Sequence, residues 1–317
     1  MYIAQVFKAK TDWWRYLIGI IIIFIAWQVI GVIPLFATAF LEAGNLSDFI
    51  AAAENSFMQM GLDPNLFLSL MIFSFACGLL GIWIVVKYIH KQKFKDLTTT
   101  RSKVDWGRIK FAFVMVFSIN LLLFAIGYLL EPEVLQWNFQ PVPFLILFVI
   151  VILFLPFQTS FEEYLMRGYL MQGLGGLAKN KWFPFFVTSV IFGLLHSFNP
   201  EVEKLGPIIM IFYIGTGVVL GLITLMDEGL ELALGFHAAN NIFIALMVTS
   251  DWTAFQVPSL FLDTSEPTAG FDVIAPVFIL YPLYIFILSK KYGWSDWKNK
   301  LFGKVEKPET IKLSEES

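Results

Sequence analysis

Cysteine is almost absent from this chain: Cys77 is the only one in 317 residues. That excludes an internal disulfide and any metal centre built on clustered thiolates. Charge is scarce too, at 15% of residues against 57% hydrophobic, and the mean hydropathy is +0.71. A water-soluble domain cannot hide that much apolar surface. The formal net charge of −3 gives no electrostatic footing for a nucleic acid. The Walker phosphate loop, the His-Glu-x-x-His zinc motif and the Gly-x-Ser-x-Gly elbow are missing as well, which removes the reaction classes that depend on them.

What the chain does hold is hydrophobic runs. They cover Tyr16 to Leu41, Leu66 to Val86, Phe111 to Leu130, Phe144 to Met166, Trp182 to Phe198, Pro207 to Met226, Leu230 to Val248 and Ile274 to Ser289. Each is near the ~20 residues that cross ~30 Å of hydrocarbon at ~1.5 Å per residue. The reading is an all-α, polytopic transmembrane helical bundle of about eight spans, occupying residues 1–305. A polar cytoplasmic tail, expected to be disordered, follows at 306–317. The first run is too long for a signal peptide and has no small-residue cleavage site, so it counts as a span.

Charge placement tests this count. Basic residues gather before the first span (Lys8, Lys10, Arg15), in the second loop (Lys87 to Lys110), in the fourth (Lys179, Lys181) and after the last span (Lys290 to Lys312). The alternate loops are acidic, with Lys204 as their one basic residue. With eight spans, every basic loop falls on one side, which predicts that both termini are cytoplasmic. The sixth loop, Asp227-Glu228-Gly229, breaks the pattern because it carries no Lys or Arg. Trp13, Trp14, Trp106, Trp182, Trp294 and Trp297 flank span ends, at headgroup depth. Leu46, Ile50, Ala53, Phe57 and Met60 mark the apolar face of a surface helix in the first loop.

Polar side chains inside these runs need a reason, since a charge at the centre of a span costs about 2.5–3.5 kcal/mol. The fourth span ends in Glu162-Glu163, followed by Arg167. Glu163 and Arg167 stand four residues apart on one helical face and can neutralise each other. Glu162 points ~100° away, toward another partner. The alternative is that both glutamates are solvated at the interface. His196 in the fifth span and His237 in the seventh lie in apolar runs, whereas His90 sits among lysines. One such histidine is more often a packing hydrogen bond; two, with a glutamate pair on a third helix, favour a reactive site. His237 and Asn241 share a face and can both donate to one point, as an oxyanion hole requires. Gly217 and Gly221 read as a helix-packing pair, and Gly173, Gly175 and Gly176 as a flexible turn.

Glu-Glu-x-x-x-Arg, Phe-x-x-x-His and His-x-x-x-Asn, in this order on three hydrophobic helices, resemble the signature of the CAAX protease and bacteriocin-processing (CPBP, Abi-like) family of intramembrane endopeptidases. The matched core runs from about 144 to 248. The resemblance implies that Glu162 and His196 activate a water, that His237 and Asn241 stabilise the oxyanion, and that Glu163 and Arg167 are structural support. It also implies a membrane-associated peptide or protein substrate and no cofactor. A zinc ion held by Glu162, His196 and His237 is the alternative. Competing readings are a catalytically silent scaffold or bacteriocin self-immunity protein, and a proton or ion relay. Oligomeric state and substrate identity do not follow from the residues.

Depth poses a difficulty. Glu162 lies about 27 Å below Phe144, whereas His196 lies about 21 Å above Trp182, and straight helices do not bring them together. Tilt, a bend at Pro156 or an earlier start to the fifth helix would close the gap. The cavity is expected in the cytoplasmic half, open to water from that side.

Overall fold

A computed structural model describes residues 1–54, 57–58 and 60–307. Most of the expected tail, from residue 308 onward, lies outside the described residues. The helices are α1 (Trp13–Ala43), α2 (Leu46–Glu54), α3 (Pro64–Ile89), α4 (Trp106–Leu130), α5 (Pro141–Ala178), α6 (Trp182–Leu194), α7 (Pro200–Leu205), α8 (Ile209–Asp227), α9 (Glu231–Met247) and α10 (Val273–Tyr292). Six of them, α1, α3, α4, α5, α8 and α10, are long and apolar enough to cross a membrane, and α6 and α9 are shorter apolar helices. Together they make an all-α bundle of an integral, multi-pass membrane protein. Large apolar side chains on the outside, such as Leu122, Leu129, Val142 and Phe278, are exposed, as a lipid-facing surface requires.

Local chemistry sets the helix limits. Asp63 accepts from the Leu66 amide just before Pro64, and Asp105 accepts from the Gly107 and Arg108 amides, so α3 and α4 start on side-chain caps. α1 stops at Gly44, whose φ of 71° favours glycine. Among the described residues of the first loop Leu46–Glu54 is helical; Phe57, at φ 64°, lies beyond it and packs with Leu35 and Ala39.

The loops sort by charge onto two ends. At the basic end the Lys10 amide donates to His90 O, the Leu230 amide to Thr98 O and the Lys181 amide to Gly303 O. The acidic sixth loop belongs to this end because its compensation comes from elsewhere in the sequence. Arg101 reaches Asp227 at 2.9 Å and Glu231 at 3.1 Å, and Arg108 also pairs with Asp227. Trp294, expected at headgroup depth, is instead buried and donates to Asp227. At the acidic end β1 (Leu135–Trp137), β2 (Val248–Thr249) and β3 (Phe261–Asp263) form a sheet in the order β1-β3-β2. Antiparallel Leu135↔Asp263 and parallel Val248↔Phe261 pairings tie the third loop to the seventh.

Two features of the core position the site. α5 is 38 residues long, about 57 Å if straight, so it does not stop near Met166. It bends at Phe154, where φ is −113°, just ahead of Pro156, whose ring and missing N–H disrupt the ladder. Gly173, Gly175 and Gly176 are helical and not a flexible turn: a Cβ there would strike Tyr16, Ile3 and Val6, so they let the N-terminal segment dock closely. α8 lies on α6 in the same manner, because a Cβ on Gly217 would meet the Ser189 backbone and one on Gly221 the Phe185 ring.

Candidate active site

Glu162 and Glu163 sit at the end of an α-helical stretch of α5, immediately before a π-helical turn, Tyr164–Leu170. Such turns are rare and frequent at functional sites. Glu163 and Arg167 are both 0% exposed and paired at 2.9 Å. Arg167 also donates to Gly217 O at 3.0 Å and lies 4.3 Å over the Phe192 ring. Two charges without water are tolerable only with such partners. The phenylalanine of Phe-x-x-x-His therefore has a task of its own.

His237, on α9, donates through Nδ1 to the same Glu163 Oε1 at 2.8 Å. An ionised carboxylate only accepts, so this contact fixes the tautomer. Nε2 is left facing Glu162 Oε2 at 3.6 Å. Glu162 Oε2 is buried without a hydrogen-bond partner, while Gln158 Nε2 donates to Glu162 Oε1. Gln158 Oε1 in turn accepts from Asn241 Nδ2 at 3.2 Å. Beyond Asn241 the amides continue through Asn240 and Asn120 to the Tyr284 hydroxyl. Gln158 was not singled out in the sequence, although it stands four residues before Glu162, on the same helical face.

His196 is not inside a span. α6 ends at Leu194 and the chain turns, with the His196 amide bonded to Gly193 O and the Asn199 amide to His196 O. Pro200 then opens α7. The ring donates through Nδ1 to Phe192 O at 2.8 Å and stacks on Tyr213 with centroids 4.5 Å apart. Among the described residues no hydrogen bond or ion pair joins it to Glu162; the nearest imidazole partner of that carboxylate is His237.

The depth gap closes because both helices depart from the straight-span picture. α6, at 13 residues, covers only about 20 Å, so its end falls inside the bundle. α5 is long and bent, so Glu162 lies in its middle. Glu162, His196, His237 and Asn241 all line one cavity of about 850 Å³. This cavity is not in the half flanked by lysines, as expected. Its walls include Phe57, Met58, Phe198, Glu201, Trp252 and Phe255, from the first, fifth and seventh loops at the acidic end.

Among the described residues no group of three or more His, Cys, Asp or Glu side chains could hold a metal ion. His196 gives Nδ1 to a backbone carbonyl and His237 gives Nδ1 to Glu163, which leaves Nε2 as the remaining ligating atom of each ring.

Comparison with known proteins agrees with the motif order. A family model described as type II CAAX prenyl endopeptidase Rce1-like matches residues 138–243, which include all four cavity residues. An uncharacterised Bacillus subtilis (strain 168) protein, YyaK, is 34% identical over 206 residues, or 64% of this chain and 68% of YyaK. The chain belongs to the Rce1-like family. Its membership supports a protease of the CAAX-endopeptidase type in a membrane bundle. No solved structure matches the chain.

Proposed function

We propose that this Rce1-like protein is an intramembrane endopeptidase that hydrolyses a peptide bond of a membrane-associated peptide or protein with a glutamate-activated water and no metal. One observation carries the reading: Glu162 Oε2, buried and unpartnered, faces His237 Nε2 across 3.6 Å in a cavity inside the bundle. A water beside these two atoms, within hydrogen-bond reach of both, donates one proton to the carboxylate and presents its oxygen to the scissile carbonyl. As the C–O bond forms, Glu162 takes that proton and the carbonyl π pair moves onto oxygen.

Asn241 Nδ2 is a donor for the oxyanion, and His237 becomes a second one when Nε2 is protonated. Glu163 holds the ring in the required orientation in both states. When the C–N bond breaks, the proton on Glu162 passes to the leaving amine, directly or through His196 Nε2. Water and peptide are thereby converted to one acid and one amine. With the termini cytoplasmic, as the basic loops favour, the substrate enters from the opposite face of the membrane.

The test is Glu162→Gln, which keeps shape and removes the base. A general base contributes about 10²–10⁴-fold, so precursor peptides should accumulate in membranes carrying the variant at normal protein levels. Identical peptide inventories in wild-type and variant membranes would sink the reading.

A further inference from the structure

The cavity has a second carboxylate that the proposed hydrolysis does not use. Glu201, in the first turn of α7, lines the cavity wall near His196 and Tyr213. Its Oε1 accepts from the Ala254 amide at 2.8 Å, and its Oε2 is buried near the Tyr213 hydroxyl without a hydrogen bond of good geometry. Among the described residues it has no ion pair, and none of those lining the cavity is Lys or Arg. Burial pushes the Glu201 carboxyl above the usual range, against the opposing pull of the Ala254 amide, His196 and Tyr213. A carboxylate kept out of water with only an amide and a nearby hydroxyl for company, and no cation, is costly, and a cation arriving with a ligand would lower that cost.

We propose that Glu201 is a specificity-determining carboxylate that receives a cationic group of the substrate, a Lys or Arg side chain or a free N-terminal ammonium, while the scissile bond sits at Glu162 and His237. Aromatic residues elsewhere on the wall, Phe57, Phe192, Phe198, Phe212, Trp252 and Phe255, suit an apolar segment. The favoured substrate is therefore an apolar peptide with one positive charge close to the cut.

This assignment rests on the endopeptidase reading, so its test separates the two. The probe is a set of synthetic apolar membrane peptides in proteoliposomes, with one Lys walked along the sequence, a Gln counterpart for each, and free or acetylated N-termini. Wild-type protein should cut the best Lys peptide with a kcat/KM at least about tenfold above its Gln counterpart. Glu201→Gln should bring that ratio close to one. Loss of the preference on acetylation identifies the ammonium as the source of the charge, and loss on Lys→Gln identifies the side chain.

Binding of the same peptides to Glu162→Gln protein, alone and combined with Glu201→Gln, gives a readout free of chemistry. Tighter binding of the cationic peptide that disappears with Glu201→Gln supports the assignment even if no peptide is cut, in which case the proteolytic reading alone falls. Equal binding and cutting of charged and neutral peptides, or the same preference in Glu201→Gln protein of unchanged melting temperature, overturns it.

Discussion

His237 and Glu163 are joined through Nδ1 at 2.8 Å, so the one free nitrogen of the imidazole is turned toward Glu162. Glu163 holds a catalytic candidate with the same oxygen that holds Arg167. The adjacent glutamates thus divide into a reactive carboxylate and its neighbour's anchor.

Removing one member of the buried pair is expected to cost far more than removing both. Arg167→Met strands a charge and should destabilise the bundle by about 3–5 kcal/mol. Combining it with Glu163→Gln should recover much of that loss, as read by unfolding in detergent for all three variants. Additive losses would mean that the two residues do not form a coupled pair.

Gln158 clamps Glu162 on one side and Asn241 on the other. Gln158→Leu keeps bulk but frees both, and misplacement on the order of 1 Å can lower kcat about 10²-fold. The expected signature is a fall in kcat at similar KM and an unchanged melting temperature. A kcat within about twofold of wild type would remove Gln158 from the positioning network.

The all-α bundle and the three helices of the site were legible because hydrophobic runs, charge alternation and four-residue spacing are local properties. Glu163 with Arg167 follows directly from that spacing. The pairing of His237 with Glu163 did not, since it depends on how α9 lies against α5. His196 was assigned to a span because Leu194 to Phe198 reads as apolar, while the turn there is set by Pro200 and by α6 stopping short. The side on which the cavity opens was misread because Glu162 was counted from the start of a straight helix. The sixth loop looked anomalous only because Arg101 and Arg108, its neutralising partners, are more than a hundred residues away.

His90, expected to be an ordinary loop residue, pins the N-terminal segment. Its Nδ1 meets Lys10 O at 2.7 Å and its Nε2 the Tyr169 hydroxyl at 2.9 Å. Burial holds its pKa below the ordinary histidine range, against the opposing pull of the Lys10 carbonyl. The unfolded chain therefore binds the proton first, and this contribution to stability is lost as pH falls through about 6.5. Melting temperature should drop between pH 7 and 5 in wild type, with a smaller drop in His90→Gln. Parallel pH profiles would refute the assignment.

Gly217 and Gly221 share a spacing but not a consequence. A Cβ at Gly217 meets immovable backbone at Ser189, whereas at Gly221 it meets the Phe185 ring at 3.0 Å and the Ser189 hydroxyl at 3.4 Å. Gly217→Ala should cost about 1–3 kcal/mol and also disturb the carbonyl that Arg167 uses, and Gly221→Ala should cost less. Melting temperatures in one detergent decide the order, and equal shifts would contradict it.

The shortness of α6 reaches beyond the protein. Phe183, Phe186, Val190 and Leu194 form an exposed apolar stripe along it, so lipid chains lie against a helix covering about 20 Å of a hydrocarbon layer about 30 Å thick. A helix shorter than the hydrocarbon layer favours thinning of the leaflet beside it, and such thinning would bring headgroups and their hydration closer to the depth of His196.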